Sequence, residues 1–228
     1  MQPSPHPAPD AAPTRAAPTT PPRWLAGAAA ITSLVALGIV VLMTVLAGAA
    51  TPGYSHLSQF ISELGARGAP TEWVVRLAGF LPAGVLLLAF CGLAYRALPL
   101  SRSTSLALGG LAVYAAGYLV AAAFPCDLGC RPPHPSPSQR IHNLVGMLGY
   151  LLAPASLFVL ARAARAWPAA RALTLAGYGA AALALLGLFT LNPAAPTVGL
   201  SQRLLEAAVL GWAALCGRYL AQRARDQR

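Results

Sequence analysis

The sequence predicts an all-α fold, a polytopic bundle of six transmembrane helices with both termini in the cytoplasm, and three observations carry that prediction. Of the 228 residues, 57% are hydrophobic and only 10% charged, with a mean hydropathy of +0.60, a composition that a water-soluble domain of this length does not need. The apolar residues fall into six stretches, each close to or beyond the roughly 20 that cross a bilayer. The arginines are unequally shared between the two sides of those stretches, eleven against five, and the richer side, which holds both termini, is the cytoplasmic one.

The elements follow in order. Residues 1–23, "MQPSPHPAPDAAPTRAAPTTPPR", lack the apolar content that offsets the entropy of ordering and are expected to form a disordered cytoplasmic tail. Residues 24–220 are the six-helix transmembrane domain. Its first span, Trp24–Ala50, ends in an A-x-A pattern at Ala47 and Ala49, but it is much longer than the apolar region of a cleavable signal, about 7–15 residues. It therefore reads as a retained helix. Further spans are expected at Trp73–Ala97, Ser103–Phe124, Ile141–Ala163, Ala170–Leu191 and Arg203–Leu220, with Pro99, Trp167-Pro168 and Asn192-Pro193 punctuating the connections. Pro82 and Pro154 lie inside spans, where neighbouring helices re-satisfy the backbone groups they free. Residues 221–228 complete the chain as a basic cytoplasmic tail.

The net charge of +10 is carried by arginines scattered between apolar spans. Such charge sets topology and meets lipid headgroups; it forms no patch for nucleic acid. The lipid bilayer is the one partner the composition implies, the localisation it implies is a multi-pass cell-membrane protein, and the sequence names no protein partner.

The remaining polar residues are concentrated on the other side. Glu63, Glu72, Asp127, Glu206, His56, His134 and His142 belong to outer segments or the outer ends of spans, whereas Asp10, His6 and Asp226 sit in the terminal tails. Four segments supply a candidate ligand-binding cluster of Ser62, Glu63, Asp127, His142, Gln202, Arg203 and Glu206. Glu206 is about one turn from both Gln202 and Arg203, so these three can share a face, and an arginine and a carboxylate at membrane depth most simply neutralise one another. Glu63, Asp127 and His142 are the candidate catalytic residues. They offer either one nitrogen and two carboxylates to zinc, without any H-E-x-x-H or paired C-x-x-C spacing, or metal-free acid–base work centred on His142. Cys126 and Cys130 flank "CDLGC" and are candidates for a short-loop disulfide in an oxidising exterior, or for thiols or metal ligands; Cys91 and Cys216 lie within apolar runs, as packing residues. Tyr114, Tyr118, Tyr150 and Tyr178 interrupt the spans and read as packing or interfacial side chains.

The ordered series "ISELGARGAP", "FPCD", "RIHNLVG" and "GLSQRL" resembles the domain of unknown function family 998, polytopic prokaryotic membrane proteins. The resemblance runs from about Trp24 to Leu220, with Ser62-Glu63-Leu64-Gly65, Phe124-Pro125 with Asp127, His142 and Gln202-Arg203 as its most specific pieces. It implies about six spans and no activity. A more distant comparison is with membrane hydrolases similar to alkaline ceramidases, which hold zinc with a Ser, an Asp and three His. Ser62, Asp127 and His142 are present here, but a late H-x-x-x-H is not. The expected function is thus an integral membrane protein whose outward-facing polar cluster binds a ligand or lipid headgroup. The alternatives are a membrane-embedded, zinc-dependent or metal-free hydrolase of a lipid-like substrate and a small-molecule transporter.

Overall fold

The computed structural model describes residues 21–99 and 101–226. Most of the expected N-terminal tail, residues 1–20, and residues 227–228 lie outside the described residues. Six helices are long and apolar enough to cross a membrane: α1 (Arg23–Ala50), α2 (Glu72–Ala97), α3 (Arg102–Ala123), α4 (Pro137–Ala164), α5 (Arg171–Phe189) and α6 (Val198–Arg225). No strand occurs among the described residues. The last helix begins five residues before the expected Arg203 and continues through most of the segment expected as a tail.

Local chemistry sets several of the boundaries. The Ser101 and Ser136 hydroxyls accept from the amides of Thr104 and Gln139, both at 3.1 Å, and so cap α3 and α4. In α2 the turn Val75–Phe80 is a π-turn. It immediately precedes Pro82, which has no amide to return to the carbonyl four residues back and so loosens the regular ladder there. Arg76 leaves the same turn and donates from Nε to the Ala122 carbonyl at 2.8 Å, closing the end of α3.

Each helix packs on its sequence neighbours, and α1 packs on α6, which closes a ring. Arg23 Nε donates to the Ala224 carbonyl at 3.2 Å, so the two described ends of the chain meet. The contact stripe of α1 is Ala26, Ala29, Ser33, Ala36, Val40, Thr44 and Ala47. These are mostly small side chains at spacings of three and four, as suits helices that associate by close approach in lipid. Within the ring α6 is drawn inward: 67% of its most apolar window is buried, against 28–44% for the other five. Burial against protein on several sides is what allows this helix, the least apolar of the six, to carry Gln202, Arg203 and Glu206 at membrane depth.

Candidate functional site

The end of the bundle opposite the chain ends is closed by the connection from α1 to α2. Tyr54 donates its hydroxyl to the Phe60 carbonyl at 2.9 Å, and a 3-10 helix follows at Ile61–Gly65. Glu63 is 8% exposed and turns back on this segment: Oε1 accepts from the Phe60 amide and Oε2 from Gln59 Nε2, both at 2.9 Å. A carboxylate on the N-cap amide of a short helix satisfies a donor that the helix itself cannot. Arg131 adds an ion pair to Glu63 at 3.4 Å. The segment is pinned to α6 by Gln202, whose Oε1 accepts from the Ile61 amide at 2.7 Å. Gly199 permits the close approach, because a Cβ there would meet the His56 carbonyl oxygen at 2.7 Å.

Beneath this cover lies Glu206, 7% exposed. Tyr114 and Tyr118 of α3 both donate to its Oε2, Tyr118 at 2.5 Å. Tyr150 of α4 donates to Oε1 at 2.6 Å and itself accepts from Gln202 Nε2 at 2.7 Å. One carboxylate thus gathers three phenols from two helices, and one of those phenols takes the carboxamide one turn along α6. Beside it is a cavity of about 60 Å³, where Ser62, Tyr114, Tyr118, His142, Tyr150 and Glu206 share the lining with Ile61, Phe80 and Ala121. That is room for about four waters at ~15 Å³ each, or for one small head group. A wider groove of about 470 Å³ shares Ser62, His142, Gly146, Tyr150 and Gln202 with the cavity and continues past Leu144, Met147 and Leu191. Leu144 and Met147 are exposed, so in a membrane this groove opens sideways to lipid.

The other expected site residues do not form the arrangements anticipated for them. Arg203 does not neutralise Glu206. Its guanidinium turns to the loop, donating to the Gln59 and Gly199 carbonyls at 2.9 Å and to the Tyr54 hydroxyl at 2.6 Å, with His56 Nδ1 at 3.1 Å. The loop offers that fork the Gln59 carbonyl and the Tyr54 and His56 side chains, whereas Glu206 is already taken by the tyrosines. The Arg203 charge also holds His56 below its ordinary value, after the larger effect of partial desolvation.

The triad Glu63, Asp127 and His142 is likewise not assembled, and among the described residues no group of three His, Cys, Asp or Glu is gathered to hold a metal ion. Asp127 is tied to the start of α4, where Oδ2 accepts from the Ser136 amide at 2.9 Å, and it keeps the charged form to lower pH than usual, chiefly through that bond, with Arg67 adding a smaller effect. His142 donates from Nδ1 to the Phe124 carbonyl at 3.1 Å, since a carbonyl can only accept, and its ring lines both cavities. Cys126 and Cys130 are joined as a disulfide that packs on Ala66 and Phe60 of the covering segment.

A family model described as "Protein of unknown function (DUF998)" matches residues 15–219. The chain belongs to this family. No curated protein and no solved structure matches it. DUF998 membership agrees with the six apolar helices and carries no activity with it.

In this DUF998 chain the residues that sequence reasoning missed are Tyr114, Tyr118 and Tyr150, taken for packing side chains. One signal was available. Tyr114 and Tyr118 are four apart, on one face of a span and in its outer half. Tyr178, by contrast, packs on the Phe158 ring at 5.5 Å, as expected of it.

Proposed function

We propose that this protein binds a membrane amphiphile whose head donates hydrogen bonds, with the head beside Glu206 and the apolar part in the groove along α4. One observation carries this reading: a buried carboxylate lines a small cavity that adjoins a wider, lipid-side groove. A carboxylate offers about four lone-pair sites, and the three phenols occupy three of them. The fourth suits a hydroxyl or ammonium donor, and an ammonium gains further from the surrounding tyrosine faces. With the termini cytoplasmic, as the arginine distribution implies, the amphiphile comes from the outer leaflet.

Gly146 provides the test. It lines both cavity and groove, and a Cβ there meets nothing within 4 Å. Gly146→Leu therefore has room for its first side-chain carbon and carries the rest of its bulk into the site. Native mass spectrometry of detergent-purified protein should show retained dioleoyl phosphatidylethanolamine or phosphatidylglycerol, whose heads donate, little phosphatidylcholine, whose head does not, and loss of retention in Gly146→Leu. Equal retention of phosphatidylcholine, or a variant that binds as wild type does, would refute the reading.

A hydrolytic second reading is favoured by one specific feature. His142 donates from Nδ1, which leaves Nε2 with a lone pair on a ring that lines the same cavity as the Ser62 hydroxyl. Fluorophosphonate labelling at Ser62 that disappears in His142→Ala would support acyl transfer; an unlabelled wild-type protein would remove it.

A further inference from the structure

Glu206 is a buried acid without a counter-ion. Two ion pairs occur among the described residues, Arg76 with Glu72 and Arg131 with Glu63, and neither includes it. Arg203, one turn away on the same helix, is committed to the covering loop. The three phenols solvate the carboxylate by donating to it, but they bring no charge. An unpaired carboxylate taken out of water is costly, and a cation supplied by a ligand is the direct way to offset that cost.

The surroundings of the carboxylate suit a cation in three further ways. Phe80, Tyr118, Tyr114 and Tyr150 line the cavity and stand in one run, with successive ring centroids 6.0, 5.9 and 6.3 Å apart. Aromatic faces attract an ammonium more than a neutral hydroxyl. The second way is acceptor capacity. A primary ammonium has three N–H donors where a hydroxyl has one, and beside Glu206 the cavity lining offers two more acceptors. His142 donates from Nδ1 to the Phe124 carbonyl, which leaves Nε2 with a lone pair. Ser62 Oγ lies 3.4 Å from Cys130 Sγ; a disulfide sulfur carries no proton, so Ser62 donates there and its own lone pairs stay available. The third is size. The cavity of about 60 Å³, room for about four waters, holds the nitrogen and two carbons of an aminoethyl group; with three N-methyl groups added the head outgrows it.

Resting on the amphiphile reading above, we infer that the head is a primary ammonium: the ligand is an aminolipid, with Glu206 as its counter-ion, the Phe80 and tyrosine rings around the nitrogen, and Ser62 and His142 accepting its remaining N–H donors. A charged donor on a charged acceptor makes the stronger class of hydrogen bond. The assignment also gives the diverted Arg203 a consequence. Had its guanidinium paired with Glu206, the cavity would hold a neutral pair and would have nothing to offer an ammonium.

The probes are dioleoyl phosphatidylethanolamine, its N,N-dimethyl derivative and dioleoyl phosphatidylglycerol, with free ethanolamine as the arm that separates a lipid head from a soluble amine. They are competed on detergent-purified full-length protein and counted by native mass spectrometry. Wild type should favour phosphatidylethanolamine over phosphatidylglycerol about tenfold, the margin of a charged over a neutral hydrogen bond, and should hold the dimethyl derivative less well than its parent. Glu206→Gln keeps the side-chain length without the charge and should bring the ratio of the two lipids close to one. Phe80→Leu keeps an apolar side chain, removes one ring from the cation, and should lower the same ratio about two- to fivefold with phosphatidylglycerol binding unchanged; it carries the test if Glu206→Gln does not fold. Equal retention of the two lipids by wild type, with both lost in Gly146→Leu, would overturn the ammonium assignment and leave the amphiphile site standing, whereas retention that survives Gly146→Leu removes the reading beneath it. A wild-type ratio that persists in folded Glu206→Gln would deny the carboxylate its role as counter-ion. Free ethanolamine displacing the lipid at equal concentration would show a soluble-amine site in place of an aminolipid one.

Discussion

The three phenols on Glu206 do not contribute equally, and a double-mutant cycle can show it. Tyr114 and Tyr118 share Oε2, so Tyr114→Phe leaves that oxygen one donor. The cost should be about 1 kcal/mol, within the range of polar contacts measured in membranes, which average ~0.6 and reach ~1.7 kcal/mol. Tyr150 is the sole phenol on Oε1 and also the acceptor for Gln202 Nε2. Tyr150→Phe therefore strands an acceptor and a donor together and should cost about 2–3 kcal/mol. The partner substitution is Glu206→Met, which replaces the carboxylate by an apolar chain of similar length. In that background the Tyr114→Phe cost should fall close to zero, giving a coupling of about 1 kcal/mol, clearly above the ~0.3–0.5 kcal/mol within which independent sites add. The assay is reversible unfolding in mixed micelles at increasing mole fraction of denaturing detergent, followed by helical circular dichroism. Equal costs for the Tyr114 and Tyr150 substitutions, or a Tyr114→Phe cost that does not change in the Glu206→Met background, would refute this account of the pocket.

Two further outcomes follow from the same geometry. Gly149 stands where α4 crosses α3, and a Cβ there would meet the Tyr114 Cα at 2.9 Å; backbone cannot give way as a side chain can, so Gly149→Ala should cost about 1–3 kcal/mol in the same unfolding assay. Asp127 has a depressed pKa in the folded protein because it accepts from the Ser136 amide and hydroxyl. A depressed carboxyl contributes stability that is fully present above its ordinary value of 3.8 and is lost as pH falls below it. The protection factor of the Ser136 amide, its exchange rate relative to the intrinsic rate at each pH, should accordingly fall at acid pH in wild type and lose that dependence in Asp127→Asn.

The architecture was legible because each of its signals is local. Six long apolar runs, bounded by Pro99, Trp167-Pro168 and Asn192-Pro193, fix six helices whatever their mutual packing. The site was legible only in outline. Gln202 and Glu206 were rightly placed on one face of the last helix, yet which side chain answers Glu206 depends on how α3 and α4 rotate about their axes, and the uniform apolarity of those helices leaves that rotation unwritten. Arg203 shows the same limit. Its spacing from Glu206 permits a pair, but the loop, which the sequence does not place in space, brings the Gln59 carbonyl and the Tyr54 and His56 side chains to its donors instead. Asp127 misled for another reason: a carboxylate three residues past a span serves as well to brace the following loop as to complete a site, and only the position of the Ser136 amide distinguishes the two.

The closed ring has a consequence for engineering. Since every helix neighbours the next in sequence and Arg23 reaches the Ala224 carbonyl, a short tether could join the two ends without crossing the bundle. New ends could then be opened at the α2–α3 connection, on the same side of the bundle. Such a circular permutant would keep the same neighbours around the ring and would leave the covering segment, with the two cavities beneath it, continuous in sequence.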